Sequence, residues 1–354
     1  MCLLRQLFST YTKEVVMRCY VGIDLHATNS VVVVLDDADR VLYQKRLRND
    51  LALVLTTLEP YRATIHGVVV ESTYNWYWLV DGLMEAGYSV HWAHAPALPQ
   101  YSGLKHADDQ HDAQWLAHLL RLGLLPTGYI YPKAERAVRD LLRKRSQLVR
   151  HKTMVVLSLQ SLLTRLTGTR LSLPRLRALT PDGIQALVSF PEQAQSIRSS
   201  LTILQCLEQE IRRMEETVRE AGRTQPGYAL LQTVPGIGPI LAGTILLEVG
   251  DIRRFVTVGH FASYCRCVGS EHLSNGKRKG AGNTKNGNKY LSWAFIEAAH
   301  FAIRYEAVIR NYYQRKQVRT HPLVALKTVA HKLARACYHM LREQVPFDLH
   351  RAFG

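Results

Sequence analysis

The stretch Tyr20-Val21-Gly22-Ile23-Asp24, followed by Ser30-Val31-Val32-Val33-Val34-Leu35, decides the fold of the N-terminal region. Both runs are short and rich in β-branched residues, and a polar turn joins them, so they predict two strands. The alternating segment from Val41 to Leu47 predicts a third strand. Asp24 stands at the end of the first run.

The segments that follow alternate between helix and strand. Leucines from Leu51 to Leu58 indicate a helix, and Ile65 to Val70 reads as a buried strand that ends on Glu71. A helix from Trp76 to Ala86 and a strand from Tyr88 to Trp92 come next. Three strands, then helix, strand, helix and strand, is the order of an RNase H-like α/β fold. The turn at Gly22 also opens the sugar-kinase and actin type of fold, but we find none of its further glycine-rich phosphate loops.

The charge of the chain points to a polyanionic partner. Its 354 residues include 45 Lys and Arg against 29 Asp and Glu, a formal net charge of +16. Such an excess favours nucleic acid, because each neutralised phosphate releases condensed counterions. No apolar run approaches the roughly 20 residues that a membrane-spanning helix needs, so we expect no membrane partner. The six scattered cysteines complete no zinc spacing and are typical of reduced thiols in a cytoplasmic protein.

The remainder of the chain is predominantly helical. Lys133 to Leu166 predicts a long basic helix, and apolar residues from Leu201 to Val218 recur at steps of three and four. That spacing suits a coiled coil or an ordinary packed helix. We therefore predict an N-terminal extension (1–17), an RNase H-like domain (18–132), a basic helix and coiled-coil region (133–225) and a mainly α C-terminal domain (226–354).

Four carboxylates are candidate metal ligands: Asp24, Glu71, Asp109 and Asp112. The first and central strands are neighbours in this topology, so Asp24 and Glu71 emerge at one edge of the sheet. Asp109 and Asp112 are three residues apart and share one face near a helix start. Hard ions such as Mg²⁺ take oxygen ligands, and two-metal phosphoryl-transfer sites lie between such carboxylates. Asp24 as a turn residue and the aspartates as helix caps are the structural alternatives.

The C-terminal region contains a glycine-rich turn and a basic segment. Gly236 and Gly238 lie in a predicted hairpin between helices that resembles the helix-hairpin-helix module, which offers backbone N–H groups to a DNA phosphate. A tight turn with structural duties alone is the alternative. After Tyr264 we expect a flexible basic loop whose Lys277, Arg278, Lys285 and Lys289 neutralise phosphate. A serine there can attack a phosphodiester if nearby groups activate it, although polar filler is its commoner role.

Together these motifs resemble the DEDD transposases of insertion-sequence family one-ten (IS110), which are related to Piv-type DNA invertases. The resemblance extends from Tyr20 to about Glu343. At the front it rests on Gly22-Ile23-Asp24, Glu71 and Asp109-x-x-Asp112-Ala113. At the rear it rests on Pro235-Gly236-Ile237-Gly238-Pro239, Asp251-Ile252-Arg253-Arg254-Phe255 and the segment from Ser274 to Asn288.

The resemblance implies a RuvC-like domain in which Asp24, Glu71, Asp109 and Asp112 hold Mg²⁺. It also implies a nucleophilic serine, Ser274, that forms a transient phosphoserine link with DNA. Family members use a structured guide RNA that pairs with donor and target DNA, and their dimers assemble into tetramers.

Two positions depart from the family pattern. The family serine is normally followed directly by glycine, whereas Asn275 separates Ser274 from Gly276, which leaves Ser270 as an alternative nucleophile. Asp108 adjoins Asp109 and is an alternative third acidic ligand.

Two basic surfaces are candidates for nucleic-acid contact. Four arginines of the long helix fall on roughly one face and predict a stripe along an RNA or DNA backbone, with a solvated helix face as the alternative: Arg136, Arg139, Arg143 and Arg150. A second surface combines cations with tyrosines that can stack on bases: Arg304, Tyr305, Arg310, Tyr312, Tyr313, Arg315, Lys316 and Arg319.

The sequence therefore predicts a Mg²⁺-dependent, RNA-guided DNA transposase with a serine nucleophile, acting in the cytoplasm at the bacterial nucleoid. One alternative is a RuvC-type nuclease or junction resolvase that uses water. Another is a non-catalytic nucleic-acid-binding protein.

Overall fold

The computed structural model describes residues 17–93, 109–269, 271–281 and 286–354, with backbone alone at 109, 271–273, 278 and 281. The chain divides into two compact units, Met1–Tyr131 and Pro132–Gly354. Apart from Met17, the predicted N-terminal extension lies outside the described residues. Across those described ranges, no helix is both long and apolar enough to cross a bilayer.

The first unit is built on a six-stranded sheet of order β3-β2-β1-β4-β5-β6. Its strands are β1 (Cys19–Leu25), β2 (Asn29–Leu35), β3 (Val41–Arg48), β4 (Ile65–Glu71), β5 (Val90–Ala93) and β6 (Thr127–Gly128). Its helices are α1 (Leu51–Leu58), α2 (Tyr77–Glu85) and α3 (Asp109–Arg121). The first three strands are antiparallel, whereas β1, β4 and β5 run parallel. This mixed α/β unit is compatible with the predicted RNase H-like domain.

Helices cover both faces of the central strands. On one face Val32 and Val34 pack with residues of α1 and α2. On the other, Val31 and Val33 pack against Ala113 of α3. Because both faces are buried, β2 is a continuous valine run rather than an alternating one.

The second unit is mainly helical. Its helices are α4 (Lys133–Thr167), α5 (Leu173–Arg177), α6 (Pro181–Leu187), α7 (Pro191–Arg223), α8 (Pro226–Leu231), α9 (Pro239–Val249), α10 (Val258–Tyr264), α11 (Lys289–Tyr305), α12 (Ala307–Gln317), α13 (Pro322–Glu343) and α14 (Leu349–Phe353). The core from α8 to α14 surrounds residues such as Phe261 and Phe295, which are fully buried.

The long helices α4 and α7 pack against each other as an antiparallel pair. Leu159 near the end of α4 meets Ile197 near the start of α7. At the opposite ends, Leu142 and Val218 share a small apolar cluster with Leu247 of α9. The pair and the C-terminal helices thus lie within one unit, and a domain boundary at residue 226 stays a prediction.

The basic segment after Gly269 is a β-hairpin over its described part, not the flexible loop that we expected. Its strands are β7 (Glu271–Ser274) and β8 (Lys277–Ala281). Asn275 and Gly276 form the turn, with φ values of 51° and 71°. A type I′ hairpin turn needs positive φ at both central residues, and Asn-Gly is a preferred pair there. The loop prediction was therefore wrong for residues 271–281, and the Asn-Gly dipeptide was the signal that indicates the hairpin.

Candidate active site

Asp24 and Glu71 stand side by side at one edge of the sheet, as the strand order predicted. The preceding residues, Ile23 and Val70, are register partners in the parallel pair β1 and β4. Asp24 is 3% exposed, and Glu71 is half-buried. The parallel pairing brings two carboxylates from distant parts of the sequence to one edge of the sheet.

A close helix–strand contact places α3 against this edge. A Cβ atom built on Gly22 would lie 1.9 Å from the carbonyl oxygen of Ala113 and 2.9 Å from the backbone nitrogen of Ala117. Ala113 and Ala117 are fully buried. Glycine on the strand and alanines on the helix therefore let the two backbones nearly touch. This contact fixes Asp112, which adjoins Ala113 in α3, next to the sheet edge.

The opposite end of α3 is held by charged side chains. Arg121 donates to both carboxylate oxygens of Asp39, at 2.8 Å and 2.6 Å, and His118 Nδ1 lies 2.6 Å from the same group. Although burial raises the pKa of Asp39, its hydrogen bonds with Arg121 and His118 outweigh that effect and lower the pKa overall. Contacts at both ends thus set the position of α3 on the sheet.

The pKa of Glu71 reflects its closeness to Asp24 and Asp112. Burial, a hydrogen bond with Asp24, and the negative charges of Asp24 and Asp112 raise the pKa of Glu71 from its ordinary 4.5 to about 8. The three carboxyl groups are therefore close enough that the negative charges of Asp24 and Asp112 make ionisation of Glu71 unfavourable. A divalent cation held between them would relieve that repulsion, and oxygen donors are the ligands that Mg²⁺ prefers.

The remaining members of the predicted acidic set are Asp109 and its alternative, Asp108. Asp109 is the first residue of α3, but its side chain is outside the described residues, as is all of Asp108. Among the side chains that are described, no three potential ligands are already grouped as a metal site. The fit to Mg²⁺ thus rests on the pairing of Asp24 with Glu71 and on the nearby charge of Asp112.

His26 is a neighbour of the site that the sequence analysis missed. Its Nε2 lies 3.1 Å from Oδ2 of Asp24. Asn49 and Asn75 both donate to the His26 carbonyl oxygen, at 2.9 Å and 3.0 Å, and so anchor the turn after β1. The His26 ring therefore has a fixed place beside Asp24. A lone histidine two residues after the aspartate gave no signal of this in the sequence.

We expect the metal-free first unit to lose stability as pH rises from about 4.5 to about 8. Below this window Glu71 is protonated in both the folded and the unfolded chain. Within it the unfolded chain releases the proton while the folded chain retains it, so rising pH favours unfolding. The check is the free energy of unfolding measured against pH in a chelator.

Glu71→Gln should abolish that part of the pH dependence, and Glu59→Gln, at an exposed glutamate, should leave it unchanged. Identical pH profiles for wild type and Glu71→Gln would show that the three carboxyl groups do not interact as described.

Ser274, the predicted nucleophile, is exposed on the hairpin of the second unit. It closes β7 and pairs in register with Lys277 of β8. Among the residues described, none forms a hydrogen bond with its hydroxyl. Lys289 is also exposed, at the start of α11. The alternative nucleophile Ser270, the cation Lys285 and the side chain of Arg278 lie outside the described residues.

The two turn glycines have different surroundings. Gly236 has a φ of +90°, and a Cβ there would lie 2.3 Å from the carbonyl oxygen of Ala298, so this glycine lets the turn pack directly on α11. Gly238 caps the N-terminus of α9, and nothing lies within 4 Å of its Cβ position. Gly236 therefore has a structural role, whereas Gly238 is exposed and has space around it for a ligand such as phosphate.

The predicted arginine stripe on α4 is largely an internal feature. Arg136 and Arg139 are buried, at 3% and 8% exposure. Arg143 donates to both carboxylate oxygens of Glu248, at 2.7 Å and 2.8 Å. The predicted stripe along a nucleic-acid backbone is thus contradicted at Arg136 and Arg139, which are buried, while Arg143 is engaged by Glu248 of α9. Arg150 is exposed and stays a candidate for nucleic-acid contact.

Glu248 is the centre of this internal cluster. It is 2% exposed and, besides the two hydrogen bonds from Arg143, accepts one from Nδ2 of Asn288 at 2.7 Å. Asn288 also caps α11 by accepting from the backbone N–H groups of Tyr290 and Leu291. The guanidinium of Arg143 lies 4.6 Å from the Tyr290 ring centre. One buried carboxylate thus joins α4 and α9 to the start of α11, a link that no local sequence pattern indicated.

The cationic side chains of the second predicted basic surface are exposed to solvent. Side chains at Arg304, Arg310, Arg315, Lys316 and Arg319 are exposed. Tyr305 is 68% exposed and stacks on Phe301 with an interplanar angle of 3°. Cations and accessible rings thus occur along α11 and α12, as a nucleic-acid surface would require.

Two family models match the chain. A DEDD transposase model of IS110 matches residues 21–167, and a model described as the transposase family of IS116, IS110 and IS902 matches residues 228–314. Together the two ranges cover more than half of the chain. The first contains the acidic edge and α3, and the second contains the turn glycines and the hairpin.

Similar curated proteins include transposases from several bacteria. A probable family 20 transposase of Pseudomonas aeruginosa is 29% identical over 64% of this chain and 68% of its own length. The transposase for insertion sequence element IS1111A of Coxiella burnetii is 22% identical over 68% of this chain and 65% of its own length. An uncharacterized 43.6 kDa protein of insertion element IS110 from Streptomyces coelicolor is 27% identical, and the match covers 36% of its length.

Proposed function

The chain belongs to the IS110 family of DEDD transposases, and on that premise we propose that it catalyses Mg²⁺-dependent DNA strand cleavage and rejoining to move an insertion sequence. The observation that carries this proposal is the meeting of Asp24, Glu71 and Asp112, reflected in the raised pKa of Glu71. Three mutually repelling acids at one sheet edge would be stabilised by a bound divalent cation. They suit a site that holds metal against a phosphate.

In the proposed site, Asp24, Glu71, Asp109 and Asp112 hold the ions in a RuvC-like domain. Bound Mg²⁺ supplies Lewis-acid stabilisation of charge on the scissile phosphate. His26 keeps the Asp24 carboxylate oriented through their 3.1 Å contact. Gly22 and Ala113 keep Asp112 within reach by holding α3 on β1.

Ser274 is the proposed nucleophile. Its oxygen would bond to the phosphorus as one strand oxygen leaves, which yields a phosphoserine link that a second strand end later resolves. The exposed position of Ser274 on the hairpin and the adjacent exposed Lys277 support access to a DNA backbone. Lys289, Arg278, Lys285 and the open N-terminus of α9 at Gly238 would add phosphate contacts.

The partners of the reaction are likewise proposals. We infer donor and target DNA, a structured guide RNA, and a homodimer that assembles into a tetramer, all within the bacterial cytoplasm at the nucleoid. The net charge of +16 supports polyanionic partners. The exposed cations and tyrosines of α11 and α12, together with Arg150 on α4, are the surfaces that we assign to them.

A nuclease that uses water is the second candidate. It is favoured by the Ser274 hydroxyl, to which no group in the described ranges is hydrogen-bonded as a base. In that case Ser274 has only a structural role, and cleavage leaves free DNA ends with no protein attached.

Trapping of the protein–DNA link separates the two candidates. In cells that carry the gene with its native flanking DNA, we expect DNA covalently attached to the wild-type chain and to Ser270→Ala. We expect none attached to Ser274→Ala. Both variants remove one hydroxyl from the same basic segment, so each is the control for the other. An adduct that survives in Ser274→Ala and disappears in Ser270→Ala would reassign the nucleophile. Cleavage with no adduct in the wild type would support the water-using nuclease.

A further inference from the structure

A cavity at the C-terminal end of the second unit lies outside the proposed reaction site. Its volume is about 510 Å³, within the range of small-molecule sites. One wall is a face of α13 from Thr328 to Met340, and the opposite wall is the segment from Val345 to Ala352. Tyr312 of α12 completes the lining.

One part of this cavity is strongly basic. Lys332 and Arg335 line it from consecutive turns of α13. Burial and these two cations lower the pKa of His331, which also lines the cavity, so its neutral form is favoured. The Lys332 ammonium is held in place, since it donates to the Ala352 carbonyl oxygen at 2.7 Å and lies 5.0 Å from the Tyr312 ring centre. An ammonium has three donors, so this contact leaves donors for a ligand. Burial, and then the positive charges of Lys316 and Arg335, lower the pKa of Lys332, so a phosphate beside Lys332 would offset the repulsion between these cations.

The acidic side chains at the cavity do not neutralise this basic part. Asp348 caps α14 by accepting from the backbone N–H groups of His350 and Arg351. Glu343, at the end of α13, is paired with His339 and with the Arg351 guanidinium. Among the described residues, neither carboxylate forms an ion pair with Lys332 or Arg335. An anion therefore has a place beside these two cations.

The other part of the cavity is apolar. Met340, Val345 and Phe347 line it. Met340 follows Arg335 by five residues along α13, which corresponds to an axial rise of roughly 7.5 Å. Cations and, one to two turns farther along α13, apolar side chains match the two chemical parts of a nucleotide.

We propose that this cavity binds a nucleotide, with its phosphate beside Lys332 and Arg335 and its base between Met340 and Phe347. The source that we expect is an unstacked nucleotide of a nucleic-acid strand, and this expectation rests on the proposed function. The binding of a nucleotide in this cavity does not depend on the proposed function, because the cavity shares no residue with the acidic site.

The test is titration calorimetry of the full chain in a chelator, with three probes: inorganic phosphate, adenosine monophosphate and a ten-nucleotide adenosine RNA. Arg335 is exposed, so Arg335→Ala should fold normally. Loss of a charged hydrogen bond to phosphate should weaken nucleotide binding about tenfold or more. Arg212→Ala removes the same charge from an exposed position on α7 and should change binding less than about twofold.

Both nucleotide probes should bind more tightly than phosphate, because the base adds apolar contact. Tighter binding of the RNA than of the mononucleotide, by a margin that Arg335→Ala removes, would identify a strand as the source, and the reverse would identify a free nucleotide. Equal affinity for phosphate and adenosine monophosphate would overturn the assignment, as would equal effects of Arg335→Ala and Arg212→Ala. Asp24→Asn should bind all three probes like the wild type, so a failure of the proposed reaction would leave this result intact.

Discussion

Gly22→Ala should reduce recombination at least about 100-fold, because misplacing a catalytic group by about 1 Å has an effect of that size. The new methyl group would lie 1.9 Å from the carbonyl oxygen of Ala113, so α3 must move away from β1. That movement separates Asp112 from Asp24 and Glu71. Overpacking of this kind also destabilises a fold by about 1–3 kcal/mol. The measurements are junction formation in cells and thermal unfolding of the purified chain.

A matched glycine distinguishes this effect from a general cost of adding a methyl group. A Cβ at Gly259 in α10 would lie 3.6 Å from Thr257 Oγ1, which is ordinary contact. Gly259→Ala should therefore keep both stability and recombination. Wild-type recombination in Gly22→Ala would show that close contact between α3 and β1 is not needed to assemble the acids.

Glu248→Ala should destabilise the second unit by about 3–5 kcal/mol, the usual effect of removing one partner from a buried ion pair. The substitution leaves the Arg143 guanidinium without its two carboxylate contacts and removes the partner of Asn288 Nδ2. The link from α4 to the start of α11 is lost with it. Chemical denaturation followed by circular dichroism measures the change.

Glu210→Ala is the control for this substitution. Glu210 pairs with Arg213 on the exposed surface of α7, where an ion pair contributes at most about 1 kcal/mol. We expect near wild-type stability for that variant. If Glu248→Ala were equally stable, the cluster around Glu248 would not be a structural link, and Arg143 would again be available as a nucleic-acid contact.

The sequence predicted the parts of the fold that depend on periodicity. The valine run of β2 and the alternation of β3 gave correct strands, and Glu71 was placed correctly at the end of β4. The pairing of Asp24 with Glu71 followed from the strand order alone, since parallel neighbours end at the same edge. The local sequence pattern was sufficient to predict a residue's location wherever its position along a strand determines the face or edge of the sheet on which it lies.

Features that depend on tertiary contacts were beyond that reasoning. His26 meets Asp24 because two asparagines from elsewhere in the chain hold its turn. The α4 arginines share one face by spacing, but Arg139 and Arg143 lie beside Glu248, about 100 residues away in the sequence. Periodicity identifies a common face of a helix, and charge alone does not reveal whether a buried acid lies opposite that face.

The most direct test of the proposed reaction is recombination by Asp24→Asn in cells that carry the gene with its native flanking DNA. Amplification of the new DNA junctions compares it with the wild type and with Asp182→Asn, which changes an exposed aspartate of α6. We predict junctions in the wild type and in Asp182→Asn, and none in Asp24→Asn, because an amide cannot replace a metal-binding carboxylate. Junctions at the wild-type level in Asp24→Asn would contradict the assignment of this carboxylate cluster as the catalytic site.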